Sequence, residues 1–230
     1  MGATNHLVSV ILPVRNGACY LAEALDSVAA QTYRPYELIV VDGGSTDGSL
    51  AVAQARQPDR LLQQAQPGLW AAFNLGVQAA SGEYVAFISS DDRWTPDKLA
   101  RQAAYLDAHP EAQGATGQVI FFVAEGQPAP RGFRQRLIGQ PLDCRQMEVL
   151  LLRRQAFATV GLFDESLAFA SDTDWFARAQ DAGLAVAALP GVMLYKRLHS
   201  ANLSLSAPLE QQRDLLHVLH DSVRRKRDRA

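Results

Sequence analysis

Along the first hundred residues the hydrophobic positions follow two alternating patterns. Near-continuous apolar runs at residues 7–14, 38–41 and 84–88 have the length of strands and are too short for helices. Between them the apolar positions recur at helical spacing. Leu21, Ala24, Leu25 and Val28 share one face, a second helix is predicted over about 47–55, and a third over 69–80, closed by Ser81-Gly82. Strands that are apolar on both faces belong to a mostly parallel sheet with helices on both sides, an α/β fold. Thr95-Pro96, a capping hydroxyl followed by proline, predicts a further helix start.

The second half is less regular. A strand is predicted over 113–123, followed by a loose segment at 124–143 rich in Gly, Pro and Arg. Helical patterns return at 153–160 and 172–182, with strands near Val186 and over 192–197. The last element is a C-terminal amphipathic helix over about 209–223, with Leu216, Leu219 and Val223 on one side. At 230 residues the chain suits a single domain.

Composition narrows the function classes. Charged residues make up 20% of the chain and the formal net charge is −2, so no global basic field exists to hold DNA or RNA. The one dense basic run, Arg224-Arg225-Lys226-Arg227 with Arg229, reads as a solvated helix end or as a weak peripheral contact with an anionic membrane. Cys19 and Cys144 have no metal-site spacing, which fits a reducing compartment. The first six residues lack the basic and apolar regions of a secretory signal. The apolar runs also fall far short of the ~20 residues that cross a bilayer. The expectation is a cytoplasmic protein, peripheral at most at the inner face of the membrane.

Four segments can carry chemistry. Asp42-Gly43-Gly44-Ser45-Thr46-Asp47-Gly48 ends a strand with a carboxylate that can accept hydrogen bonds from a base or ribose, on a backbone that glycine lets come close. Ser89-Ser90-Asp91-Asp92 ends another strand with adjacent carboxylates, which repel one another unless a cation or a donor-rich ligand compensates. Hard ions such as Mg²⁺ or Mn²⁺ take such oxygens together with substrate phosphates. Asp172, in Ser171-Asp172-Thr173-Asp174-Trp175, opens a helix whose dipole keeps it ionised, as a general base requires. His199 follows in Arg197-Leu198-His199-Ser200-Ala201-Asn202-Leu203-Ser204. Since open α/β sheets bind ligands beyond the carboxyl ends of their strands, Asp42 and the Asp91-Asp92 pair should meet in one crevice.

In order and spacing these segments resemble glycosyltransferase family 2. The resemblance runs from Val8-Ser9-Val10-Ile11-Leu12-Pro13-Val14-Arg15-Asn16 through Asp42 to Gly48, Gly68 to Gly76, Gly82-Glu83-Tyr84, Asp91-Asp92, Gly161 to Glu165 and Asp172. It covers about residues 7–205 and looks like the branch associated with bacterial O-antigen and exopolysaccharide assembly. It implies a GT-A, Rossmann-like fold. A nucleotide-sugar-binding half would span about 7–110, an acceptor half about 111–205, and a C-terminal helix with basic tail 206–230. It further implies an inverting, metal-dependent transfer from a nucleoside-diphosphate sugar to a hydroxyl of a glycan or lipid-linked sugar. Pro13, Arg15, Asp42 and Ser45 would bind the donor, Asp91 the ribose, and Asp91 or Asp92 the Mg²⁺ or Mn²⁺. His199 would complete the metal or diphosphate site, and Asp172 would be the base. Two departures stand out. Ser89 replaces a frequent Asp, and Ser171 replaces the acidic neighbour of the base. The rival readings are a non-catalytic sugar-nucleotide-binding protein on this fold and a nucleotidyltransferase. For the latter, Arg15-Asn16-Gly17-Ala18 is a poor phosphate loop.

Overall fold

The computed structural model describes residues 6–66, 68–130, 132–202 and 208–227. Residues 1–5, Leu203-Ser204 of the His199 segment and Arg229 of the basic run lie outside the described residues.

The first half contains β1 (Val8–Val14), α1 (Ala18–Ala29), β2 (Tyr36–Asp42), α2 (Ser49–Ala55), β3 (Arg60–Gln63), α3 (Leu69–Ala79), β4 (Tyr84–Phe87), β5 (Arg93–Trp94) and α4 (Lys98–Ala108). The second contains β6 (Gly114–Val123), β7 (Pro141–Asp143), β8 (Leu151–Arg153), α5 (Gln155–Val160), α6 (Ser171–Asp181), β9 (Val186–Leu198) and α7 (Pro208–Arg227). The strands form one sheet in the order β3-β2-β1-β4-β8-β6-β9-β5, with β7 also pairing β6.

The sheet is built as its apolar runs require. β3, β2, β1 and β4 run parallel to one another, and β6 runs parallel to β9. β8 is antiparallel to both β4 and β6 and joins the two parallel blocks. Every residue of β1 is buried, and its alternating side chains enter two cores. Val8, Val10, Leu12 and Val14 pack with Leu21, Leu25 and Val28 of α1 and Leu99 and Leu106 of α4. Ile11 points the other way, joining Trp70, Phe73 and Val77 of α3 and Trp175 of α6. Two-sided burial is why these strands lack the polar alternation of a sheet with one wet face. Gly76 lets α3 come close: a Cβ there would lie 2.3 Å from Cγ2 of Ile11.

Three features differ from the sequence pattern. The helix expected at Thr95-Pro96 begins at Lys98, because those residues engage neighbouring elements. The carbonyl of Thr95 accepts from Gln31 Nε2 at 2.7 Å, and that of Pro96 from the Thr32 amide at 2.9 Å. The strand pieces near Val186 and over 192–197 form one strand, β9, with register shifts opposite Thr116 to Val119 and Gly191 at φ +91°. On α7, Leu216, Leu219 and Val223 face outward, whereas Val218 packs on Leu167 and Ala170. Short, mixed-polarity β3, β5, β7 and β8 carry too little pattern to be seen in sequence.

Candidate active site

The crevice forms where β1, β2 and β4 end. Register sets Pro13 beside Val41 and Val14 beside Asp42, so the two strand-end loops emerge together. Asp42 is buried, and its carboxylate accepts from the amides of Gly44 at 3.2 Å and Ser45 at 3.2 Å, which closes the turn. Asn16 laces the β1 loop to this turn. Its amide donates to Ser45 Oγ at 3.0 Å, and its Oδ1 accepts from the Thr46 amide at 2.8 Å. Ala18 and Gly17 donate in turn to Asp47 Oδ2 and Ser49 Oγ. Arg15 is exposed at the rim and Pro13 is buried beneath it. A Cβ on Gly17 would stand 2.9 Å from Ser90 Oγ, so this glycine is where the β1 loop meets the loop after β4.

Asp91 and Asp92, adjacent in sequence, occupy different environments. The Asp91 side chain is 23% exposed, and its Oδ2 faces His199 Nε2 at 3.0 Å and Asn202 Nδ2 at 3.1 Å. The Ala201 amide donates to His199 Nδ1 at 3.2 Å, which assigns the remaining ring proton to Nε2. Asp92 has 1% exposure and both oxygens in use: Oδ2 pairs with Lys196 Nζ at 3.2 Å and Oδ1 accepts from the Arg197 amide at 2.9 Å. Burial pushes its pKa up, to about 7, against the pull of Lys196. Loss of Asp92 would leave Lys196 short of a partner in a buried site.

Behind this pair lies a network with no sequence signature. Lys196 also pairs with Glu148 Oε1 at 3.1 Å. Burial would lower the Lys196 pKa, but Asp92 and Glu148 outweigh it and keep the ammonium charged. Arg197 donates through Nη2 to Glu23 at 2.7 Å and through Nε to the Asp91 carbonyl at 3.0 Å, with its guanidinium 4.4 Å from the Tyr20 ring centre. Two consecutive cations in the apolar β9 were the available clue; Glu148 left none.

Asp172 opens α6 as predicted and is partly buried. Its Oδ1 accepts from the Thr173 amide at 2.7 Å. Burial first, and then the charge on Glu148, raise its pKa to about 6. Asp174 points into the protein, where it pairs with Arg178 at 2.7 Å and Arg225 at 3.7 Å. Ser171 Oγ is buried without a hydrogen-bond partner among the described residues, while Ser89 Oγ donates to Glu148 Oε1 at 2.9 Å.

Asp91, Asp92 and Glu148 thus gather around Lys196, a buried counter-charge. Among the described residues no three His, Cys, Asp or Glu side chains form a closed metal cage. Asp91 and His199 nevertheless suit a divalent ion. Ligands about 2.1 Å from Mg²⁺ at right angles stand about 3 Å apart, matching their 3.0 Å separation. Mg²⁺ is commonly held by one or two protein ligands together with substrate phosphates.

A family model described as glycosyl transferase family 2 matches residues 9–161. A PGL/p-HBAD biosynthesis glycosyltransferase of Mycobacterium bovis is 33% identical over 175 residues, 74% of this chain and 68% of the relative. An uncharacterized glycosyltransferase of Rickettsia prowazekii is 30% identical over 225 residues, covering 91% and 70%. Among solved structures, Staphylococcus aureus TarS 1-349 in complex with UDP-GlcNAc superposes with a TM-score of 0.72 at 22% identity, over 92% of this chain and 65% of that one. A mannosyltransferase from Pyrobaculum calidifontis with GDP-Man and Mn²⁺ gives a TM-score of 0.72 at 19% identity, over 96% and 65%. The chain spans just under two thirds of these structures. They share its fold, a curled mostly parallel sheet of GT-A type.

Proposed function

This chain belongs to glycosyltransferase family 2, and from that membership we propose that it inverts an anomeric centre while moving a sugar from a nucleoside diphosphate to a hydroxyl acceptor. The observation that carries this is that the candidate residues sit in distinct environments: Asp42 closes the turn after β2, Asp91 faces His199, and Asp172 has a raised pKa. In this reading Asp42 serves the nucleoside, Asp91 and His199 the diphosphate, and Asp172 the acceptor.

Pro13, Arg15, Asp42 and Ser45 bound the donor pocket in this reading. UDP-GlcNAc and GDP-Man in the structures with the same fold support a nucleotide sugar as donor. Mn²⁺ in the mannosyltransferase supports a divalent ion, and that ion would neutralise charge on the leaving diphosphate. Asp91 Oδ2 and His199 Nε2 would hold it, the ion replacing the Nε2 proton. Asp92 keeps its place as the buried anchor of Lys196. Asp172 takes the proton of the attacking hydroxyl. Its pKa of about 6 leaves it ionised at neutral pH and still basic enough to accept that proton. One displacement then suffices, and no nucleophilic Ser or Cys is required.

The acceptor class proposed is a glycan or lipid-linked sugar, in line with the PGL/p-HBAD relative. No helix among the described residues is long and apolar enough to cross a membrane. Arg224 and Arg227 remain exposed for a peripheral contact, whereas Arg225 turns inward to Asp181 at 2.9 Å. The direct test is a panel of UDP-, GDP- and dTDP-sugars assayed for metal-dependent thermal protection and donor turnover. Saturable binding without turnover of any donor would favour a binding protein and reject the catalytic reading.

A further inference from the structure

One carboxylate of the crevice has no task in the reading above. Glu148 sits on the 3-10 turn Met147–Val149, immediately before β8. Three consecutive carbonyls of this stretch are gripped by side chains from β5 and α4. Trp94 Nε1 donates to the carbonyl of Glu148 at 2.8 Å, Gln102 Nε2 to that of Val149 at 2.8 Å, and Lys98 Nζ to that of Leu150 at 3.1 Å. All three donor residues are buried. Lys98 also donates to Gln102 Oε1 at 2.9 Å and lies 4.1 Å from the Trp94 ring centre, so they act as one brace. A buried, satisfied network of this kind fixes the backbone far more firmly than a turn requires for its own sake. It holds a functional side chain in place.

The side chain itself is half engaged. Oε1 accepts from Ser89 Oγ at 2.9 Å and from Lys196 Nζ at 3.1 Å. Oε2 accepts no hydrogen bond from another described residue, and the side chain keeps 16% exposure. Burial works against ionisation, but Lys196 and the hydrogen bonds from Ser89 and the residue's own amide together outweigh it and hold the group ionised. An ionised carboxylate has lone pairs for about four hydrogen bonds, so Oε2 presents an unmet acceptor to the crevice. Met147 and Leu150, on either side of Glu148, share a core with Trp175 of α6, which brings this turn and the start of α6 together, and the charge on Glu148 reaches Asp172. A molecule that offers one hydroxyl to Asp172 and a neighbouring one to Oε2 satisfies both.

We infer that Glu148 binds the acceptor, its Oε2 taking a hydrogen bond from the hydroxyl adjacent to the attacking one, so that the acceptor carries vicinal hydroxyls as a sugar ring does. The inference rests on Asp172 as the base and adds the group that orients the acceptor against it. Ser171, next to the base, has its hydroxyl buried and cannot do this. Glu148 approaches the same space from a distant part of the chain.

The test uses octyl glucoside, galactoside and mannoside with their monodeoxy analogues as acceptors, and the nucleotide sugar that the wild type turns over best. The wild type should prefer one parent glycoside over one deoxy analogue by about tenfold or more in KM, the range of a charge-assisted hydrogen bond. In E148Q, and more fully in E148A, that preference should fall below about threefold, with donor KM unchanged within about twofold. An undiminished preference in E148Q overturns the proposal, as does a wild type indifferent to every deoxy analogue. A rise in donor KM with acceptor preference intact would mark Glu148 as an ion-pair member only, and also overturns it. E148Q is nearly isosteric and keeps the result readable should E148A fail to fold. D172N, measured alongside, separates the two readings. Its full activity would reject the base, whereas the Glu148 result is a ratio of KM values and is judged separately.

Discussion

The two ends of the crevice are built in opposite ways. At the end we propose for the donor, the Asp42 carboxylate is held by its own neighbours, the amides two and three residues further on. Around Asp92, Glu148 and Lys196, at the end we propose for the acceptor, each charged group is held by a side chain from another part of the chain, 48 to 104 residues away. The difference teaches what each region tolerates. A locally closed turn depends on residues a few positions apart, while a buried ion chain couples segments that are distant in sequence.

The comparison can be broken most directly at Asp172. D172N should reduce transfer on the order of 10²- to 10⁴-fold, with donor affinity changed by less than about threefold. Stopped assays of transfer together with donor titration would show this; unchanged turnover would move the base elsewhere, with Asp164 and Glu165 next to be tested. The pH profile gives the same assignment a second check. The Asp172 pKa is raised to about 6, so the base is ionised above that value and protonated below it. kcat/KM should therefore fall by about tenfold per unit as pH drops below about 6, and D172N should lose that limb.

The adjacent aspartates sharpen the contrast next. D91A should lower activity by about 100-fold, as removal of one charge-stabilising group does, with Tm within a few degrees of wild type. EDTA should likewise stop transfer, and Mg²⁺ or Mn²⁺ should restore it in the wild type. D92A should behave differently. Breaking its buried pair costs about 3 kcal/mol, the low end of the known range because Glu148 still holds Lys196. Tm should then fall by roughly 6–12 °C. Equal Tm values for the two variants would show that their environments do not differ as described.

The smallest effect is expected at the C-terminal helix. R225A removes partly buried pairs with Asp181 and Asp174, and should lower stability by about 1 kcal/mol without changing acceptor KM. A thermal melt and one acceptor titration decide it. A large kinetic effect would mean that α7 sets the position of the base through α6.

Much of this protein follows from sequence alone. The four buried residues of α1 are the four that helical spacing selects, β1 and β4 lie within apolar runs, and β2 contains the run at 38–41. Asp42, Asp91 and Asp172 could be named because each sits at the end of a regular element, where the pattern of hydrophobic positions stops and a polar group begins. Such signals are local, and a chain carries them in order. The division between Asp91 and Asp92, the inward turn of Asp174 and the role of Lys196 were settled only by tertiary structure. Burial and ion pairing depend on which distant segment arrives, and identical residue types give opposite outcomes a single position apart. Glu148 is the extreme case: its carboxylate gains its place through Ser89, Lys196 and a brace from α4, none of which is near it in the chain.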